Sequence, residues 1–517
     1  MAKPRVAIIG AGLGGITAAI MLEKAGFPVT VYEQAPQLER LGAGINLGAN
    51  VMRVADNMGL AGAMYQRGLQ PDRSLSREWD TGRVLFDYPT DSWAEAYGYK
   101  NLIMHRGDLQ AILAGGVSDG TIVFGKRLVG FGTGAGGVRM DFDDGTSAEA
   151  DVLVGADGVN SKVREEIFGV QQPTYTNYVA YRCILPTERL GAPLESDYSK
   201  WWSDDRLPSK EDRHFIIYHL TERRDEVYYV TGSPAPEWDP SVSNVPVTID
   251  EILECYEGFH EEVQRVIRAS VNPTKWPLLT RDPMETWRDG PVVLLGDACH
   301  PMKPHMGQGA NMAMEDGVVL ARSLVACDGD IHRAFDTYHA TRIDRVSRVQ
   351  AESNVNVWLR EETDPSWVFA YDPLTEPLKS PEEKVNPPAW WVDLNSKNVV
   401  SPTNDGMLLI PKNQKFSHHS QADFHRLCGP RNHDRQLERI TLERQGCLIP
   451  HLGRNESIRK RVMSPSRVVN WASALSFGEF CALFKHLDLF IANDGGPLHI
   501  SAAQDTPTVG FFGPETP

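Results

Sequence analysis

A chain of 517 residues and 57.5 kDa is several times longer than one small core requires, which suggests two to four domains and excludes a peptide-sized binding module. Hydrophobic residues at 41%, charged residues at 23% and a mean hydropathy of -0.33 describe a globular protein and argue against wholesale disorder. The formal charge of -16, from 52 Lys and Arg against 68 Asp and Glu, would repel a phosphate backbone, so neither nucleic acid nor an anionic membrane is an expected partner.

The seven cysteines are an odd, widely spaced set without a CxxC pair, which reads as reduced thiols and points to the cytoplasm. The apolar opening Val6 to Ile9 is too short for a signal-peptide core, and no later window reaches the ~18 apolar residues of a membrane span. Charge is uneven along the chain. Residues 381–517 carry 15 basic and 14 acidic residues, against 37 basic and 54 acidic in residues 1–380. The stretch Tyr371 to Pro388 is rich in Pro and Glu without an apolar period, which is linker chemistry and places a boundary near residue 380.

In chain order, Arg5 to Gly10 reads as a strand buried on both faces, Ile16 to Ala25 as a helix and Val29 to Glu33 as a second strand. Between the first two lies Gly10-Ala-Gly12-Leu-Gly14-Gly15, the GxGxxG spacing of a dinucleotide site. Its first glycine makes a tight turn, its second lets a pyrophosphate approach the backbone, and its third packs helix on strand. Glu33, ending the second strand, is placed to accept hydrogen bonds from a ribose.

His105-Arg106-Gly-Asp108 follows, and then Asp151 to Arg164, again a strand, an acidic turn (Asp157-Gly158) and a helix start. Residues 174–235 change to β-rich texture, with Phe215 to His219 and Val227 to Thr231 forming a hairpin around Thr221 to Glu226. His214 and Tyr218 are four apart in such a strand, and so share a face. Pro291 to Pro301 is a third strand and turn, containing Gly296-Asp297. Pro301 to Gly309 then breaks helix and strand alike, before helical periodicity from Gln308 to Ala326 and from Ile331 to Leu359.

Three such fingerprints in this order and spacing resemble those of the single-component FAD-dependent aromatic hydroxylases, over residues 1 to about 375. The resemblance implies an α/β fold: a Rossmann-like FAD-binding domain (1–173 and 281–375) interleaved with a β-sheet substrate domain (174–280). It implies FAD held by Gly10, Gly12, Gly14, Gly15, Glu33, Gln34, Asn46, Arg106, Leu128, Asp157, Gly296, Asp297, Ala310 and Asn311. Of these, Asp297 would bind the ribityl chain, Asp157 would lie by the pyrophosphate and the nicotinamide path, and the helix start at Ala310 would stabilise negative charge on reduced flavin.

It further implies a small aromatic acid substrate, with NADH and dioxygen as co-substrates. Gly42 to Met52, Lys200-Trp-Trp-Ser203, Arg224 to Glu226, Thr274 to Pro277 and Gly296 to Glu315 are similar to the 6-hydroxynicotinate 3-monooxygenase family in particular. Decarboxylative hydroxylation of a hydroxypyridine carboxylate to 2,5-dihydroxypyridine is then implied, with His214, Tyr218 and His305 on the substrate side; salicylate or a hydroxybenzoate is the alternative ring. Two departures are visible: Asn46 stands where that family carries His, and Leu207 to Glu211 looks longer than its loop. Oligomeric state is open, a homodimer being one arrangement.

From roughly Val468 the chain changes character. Leu487 to Pro514, with Asn493-Asp494-Gly495-Gly-Pro497, resembles the sugar-nucleotide side of heptosyltransferase-like glycosyltransferases, an α/β strand and Gly-rich turn able to cradle a diphosphate. It reads as a domain fragment (468–517) after a linker and featureless region (376–467), and sugar-nucleotide binding there is the alternative function of another class. His425, Cys428, Cys447 and His451 match no zinc-finger order, so no metal is expected.

Overall fold

The computed structural model describes residues 3–380, apart from 41, 135 and 241, together with the strands Leu408–Pro411, Leu487–Asn493 and Thr508–Phe511. The chain divides into two compact units, Met1–Lys384 and Val385–Pro517.

The first unit is built on two sheets. In one, Val6–Ile9 lies between Val29–Glu33 and Val152–Gly155, with Val292–Leu294 and Ile122–Phe124 outside them, all parallel; Arg288–Asp289 closes one edge antiparallel. All four residues of Val6–Ile9 are buried, as an apolar strand covered on both faces must be. Helix Leu13–Lys24 follows the glycine turn and packs on helix Gly309–Ala326. Their approach is close because Gly317 has no side chain: a Cβ there would lie 2.7 Å from the Ala18 nitrogen. Three adjacent parallel strands thus end, at their carboxyl edges, in the three fingerprint turns at Gly10, at Ala156-Asp157 and at Gly296-Asp297, the place where an open parallel sheet binds its ligand.

The second sheet runs Val245–Pro246, Thr274–Thr280, Thr174–Pro186, Glu226–Pro234, His214–His219, Tyr198–Trp202, Arg73–Glu78, Val84–Pro89. Its last two strands come from the segment that reads as the dinucleotide domain, joined through a parallel pairing of Tyr198–Trp202 with Arg73–Glu78. Alternation along these strands divides the side chains between two faces. Trp201, Phe215, Ile217 and Tyr229 form a core with Ile252, Val263, Val266 and Ile267 from helices Ile249–Cys255 and Glu261–Arg268. Tyr198, Lys200, Ile216, Tyr218, Tyr228 and Val230 face the other way, into a cavity.

None of the described helices is long and apolar enough to cross a membrane. In the second unit, Leu487–Asn493 pairs antiparallel with Leu408–Pro411 and parallel with Thr508–Phe511. The strand expected before the Gly-rich turn is therefore present; that turn, and His425, Cys428, Cys447 and His451, lie outside the described residues.

Candidate active site

A cavity of about 1720 Å³ runs from the glycine turn to the open face of the second sheet. It exceeds the ~300–1,000 Å³ that a single small ligand ordinarily fills, which leaves room for a dinucleotide and a second molecule. Its lining includes Gly10, Gly12, Gly14, Gly15, Glu33, Gln34, Asn46, Arg106, Leu128, Asp157, Gly296, Asp297, Ala310, Tyr218 and His305, bringing residues from the whole of 10–310 to one wall.

The glycines have separate duties. Gly10 has φ 103°, and a Cβ on it would meet the Ala156 carbonyl oxygen at 2.5 Å. On Gly14 and Gly15 a Cβ would meet Leu295 at 2.6 Å and the Gly10 oxygen at 2.2 Å, so these two permit the packing of turn, strand and helix. At Gly12 nothing lies within 4 Å, and this is the open approach to the backbone that a pyrophosphate needs. Glu33 fixes the turn by accepting from the backbone N–H of Ala11 and of Ala35, each at 2.8 Å, and Gln110 donates to the Ala11 carbonyl at 2.6 Å.

Asp297 is the most informative carboxylate. It is deep in the unit yet its side chain is open to the cavity, and it accepts no hydrogen bond from the described residues. Burial pushes its pKa up, while His300 and Arg106 draw it back. The turn that carries it is tied from beneath: Asp316 accepts from the Gly296 N–H at 3.1 Å, from Arg342 Nε at 2.7 Å and from His300. An acceptor-only group aimed into a cavity, on a rigid turn, fits the hydroxyl-bearing ribityl chain of FAD.

Two expected cofactor residues, Asp157 and Asn311, have their side chains engaged by the protein itself, whereas Arg106 is left to the cavity. Asp157 borders the cavity, but its carboxylate accepts from Ser161 Oγ at 2.6 Å and from the N–H groups of Lys162 and Val163, at the start of helix Lys162–Phe168. Asn311 is fully buried and its side chain joins backbone to backbone, donating to Asn46 and Gly307 carbonyls and accepting from the Gly48 N–H. Arg106 is free of Asp108, whose partner is Arg40 at 3.0 Å, and it lines the cavity.

On the sheet side, Tyr218 is 5% exposed and its hydroxyl has no hydrogen-bond partner among the described residues. Its ring stacks on Tyr198 (centroids 5.3 Å, 12°) and meets Tyr228 edge-on (5.2 Å). Burial holds its phenol well above its ordinary pKa, with Tyr228 and Tyr198 adding to the effect. Tyr198 is pushed up to about 12 by burial, opposed by the Asn46 side chain beside it.

His305 is held in one tautomer: Nδ1 lies 2.8 Å from the Ser353 carbonyl and so donates to it, leaving Nε2 as a lone pair without a partner. Burial, reinforced by Lys200 and Lys303, lowers its pKa to about 3, so it is neutral and a weak base. His214 shares the face of Tyr218, as its spacing implies, but does not border the cavity. Its ring meets His305 edge-on at 5.0 Å, and its Nδ1 accepts from Asn356 Nδ2 at 3.1 Å. His214 is thus in contact with a cavity-lining residue without lining the cavity itself, and it sits where it does because Gly232 opposes it: a Cβ there would come within 2.0 Å of its ring.

Asn356 and Asp316 are parts of the site that motif reading does not single out, and Lys200 enters it only within the segment Lys200-Trp-Trp-Ser203, without a role. The alternation Tyr198, Lys200, Trp202 on the strand face that carries Tyr218 was the available signal for Lys200; Asn356 and Asp316 gain their roles only from tertiary contacts.

Gly44 supports Tyr218 by absence, since a Cβ would lie 2.5 Å from its Cε2 and 2.7 Å from its hydroxyl oxygen. Gly44→Ala is expected to displace that ring and slow hydroxylation roughly 10- to 100-fold with flavin retained, because small misplacements of a reacting group are costly. Single-turnover product formation reads this; a parental rate would show that the ring's position is immaterial.

A family model described as an FAD binding domain matches residues 3–353. The chain is 46% identical over 387 residues to 6-hydroxynicotinate 3-monooxygenase of Pseudomonas fluorescens, covering 74% of this chain and 98% of that protein. It is 45% identical over 379 residues to 6-hydroxynicotinate 3-monooxygenase of Bordetella bronchiseptica, covering 73% and 97%. Among solved structures, a salicylate hydroxylase substrate complex aligns with TM-score 0.61 and 25% identity over 72% of this chain and 96% of that one. A second model, glycosyltransferase family 9 (heptosyltransferase), matches residues 430–517. With a family model spanning most of the chain and relatives of this identity matched almost end to end, the chain belongs to the FAD-binding family of flavin-dependent aromatic monooxygenases.

Proposed function

We propose that the first unit hydroxylates a hydroxypyridine carboxylate of the 6-hydroxynicotinate type at the carbon bearing the carboxylate, consuming NADH and dioxygen in the cytoplasm and releasing carbon dioxide and 2,5-dihydroxypyridine. The observation that carries this is the unpartnered Tyr218 hydroxyl on the cavity wall, in a chain whose relatives act under that name. Bound FAD, once reduced, supplies with dioxygen the electrophilic oxygen such a reaction needs.

The protein's own part is to make the ring electron-rich and to hold it. A neutral hydroxy-aromatic ring is a poor nucleophile, so its hydroxyl proton must be lost as oxygen transfer begins, passing to solvent water, from which the oxygen atom that leaves as water is protonated in turn. Tyr218, too weak an acid to be a phenolate in the empty pocket, serves by donating to the substrate oxygen, which stabilises the ring's oxyanion. His305 is neutral, with Nδ1 committed to Ser353 and Nε2 buried, and its ring serves as a wall that orients the substrate, with His214 and Asn356 holding its surroundings in place. One oxygen atom enters the ring and the other leaves as water; the electron pair of the broken carbon–carboxylate bond restores aromaticity.

The test is substrate-stimulated NADH oxidation by the flavin-loaded protein across hydroxypyridine carboxylates, salicylate and hydroxybenzoates. Preference for the pyridine acid is expected; preference for a benzene acid would move the substrate within the class. A chain cut after Lys384, where the first compact unit ends, is expected to keep flavin and activity. The cut spares Lys379, which pairs with Asp344 at 2.6 Å. A soluble, flavin-loaded but inactive truncation would assign the second unit a part in the reaction.

A further inference from the structure

On the cavity face the sheet's side chains fall into cross-strand rows. Tyr198, Tyr218 and Tyr228 form one; Lys200, Ile216, Val230 and Arg182 form the next, two residues along each strand. Such a step is ~6.8 Å. It is comparable with the span between opposite substituents of a six-membered ring.

Lys200 is an unusual member of its row. Its side chain is 6% exposed, and Nζ donates to Asn356 Oδ1 at 3.2 Å and lies 3.8 Å above the centre of the Trp202 ring. Asn356 is fixed for this contact: it caps helix Ile331–Val355 in the left-handed conformation (φ 56°), and its Nδ2 is committed to His214. An amide oxygen and an aromatic face accommodate an ammonium, yet neither cancels its charge. No carboxylate of the described residues lies within 4.0 Å of it. Buried charges are ordinarily paired, so this one lacks a counter-ion that a ligand in the cavity would supply.

We infer that Lys200 is the anchor for the substrate's carboxylate, fixing the ring with its hydroxyl toward Tyr218 and its acid group toward the Lys200–Asn356 pair. This rests on the reading of the substrate as a hydroxy-aromatic acid, without requiring that the ring be a pyridine. Lys200 is thereby a specificity-determining residue, selecting acids over the same rings without a carboxylate.

The electrostatics agree. Burial lowers the Lys200 pKa to about 7, with Asp212 opposing and Arg360 adding to the shift. The other groups around it are His214 and His305, both held neutral by burial, and Lys303, also lowered. A bound carboxylate raises the Lys200 pKa, so binding takes up a proton. Affinity is then full below pH 7 and declines as pH rises through the free lysine's value.

The experiment is ligand titration of the full-length, flavin-loaded protein, followed by flavin absorbance, with 6-hydroxynicotinate and 4-hydroxybenzoate each beside its counterpart lacking the carboxylate. Lys200→Met and Lys200→Gln are expected to weaken acid binding roughly 10- to 100-fold and leave the uncharged rings unchanged. Lys200→Arg is expected to restore acid binding and remove its decline above pH 7. Acid preference retained in both neutral variants, or lost in Arg182→Met alone, would overturn the assignment. So would unchanged binding with slowed turnover, which would make Lys200 a base. If acids bind in a Lys200-dependent way but the pyridine acid is not turned over, the anchor stands and the proposed substrate falls.

Discussion

Asp297→Ala is expected to purify without flavin. Among the acidic groups that border the cavity at the fingerprint turns, its carboxylate is the one without a hydrogen-bond partner among the described residues: Glu33 accepts from two backbone N–H groups and Asp157 from Ser161 and its own helix start. The ribityl hydroxyls would lose a charged acceptor with nothing to replace it. Each hydrogen bond to a charged group is worth about 1.5–3 kcal/mol, so two of them correspond to at least ~10²-fold in affinity. The turn itself should survive, because Asp316 holds the Gly296 N–H independently of the Asp297 side chain. The flavin-to-protein absorbance ratio after gel filtration measures this, and full yellow colour would remove Asp297 from the cofactor site. Asp297→Asn, which keeps an acceptor without charge, should fall between.

The second large effect is expected at Tyr218→Phe. The substitution keeps the ring, its stack on Tyr198 and its edge contact with Tyr228, and removes only the unpartnered hydroxyl. If that hydroxyl stabilises the substrate oxyanion, hydroxylation should slow by about 10²-fold or more with FAD retained. Reducing equivalents would then be wasted: NADH oxidation should continue while product falls and hydrogen peroxide rises. Asn46 cannot take a proton as a histidine would, and His305 is held near a pKa of about 3, so little nearby can replace the tyrosine. A variant making product at the parental rate would leave Tyr218 as a packing residue.

The first sheet and its three turns were legible because their signals are local. An apolar run, a glycine spacing and an acidic turn each fix backbone geometry within a few residues, and Val6–Ile9, Val152–Gly155 and Val292–Leu294 are where those signals place them. The shared face of His214 and Tyr218 was legible for the same reason. Long-range pairing was not: nothing near Arg73–Glu78 announces that it joins Tyr198–Trp202, more than a hundred residues away. Nor does sequence reveal how a polar side chain is spent. Asn311 and Asp157 sit in the right motifs but bond backbone, while Lys200, in an aromatic strand, is left with an unmatched charge at the cavity.

On the proposed function, this site inserts one oxygen atom into a hydroxypyridine carboxylate with loss of the carboxylate. Incubating the flavin-loaded protein with 6-hydroxynicotinate labelled with ¹³C in the carboxyl group, NADH and ¹⁸O-labelled dioxygen tests it in one vessel. The expected result is one labelled carbon dioxide and one singly ¹⁸O-labelled 2,5-dihydroxypyridine per NADH oxidised. Recovery of the labelled acid intact, with hydrogen peroxide matching the NADH consumed, would contradict it.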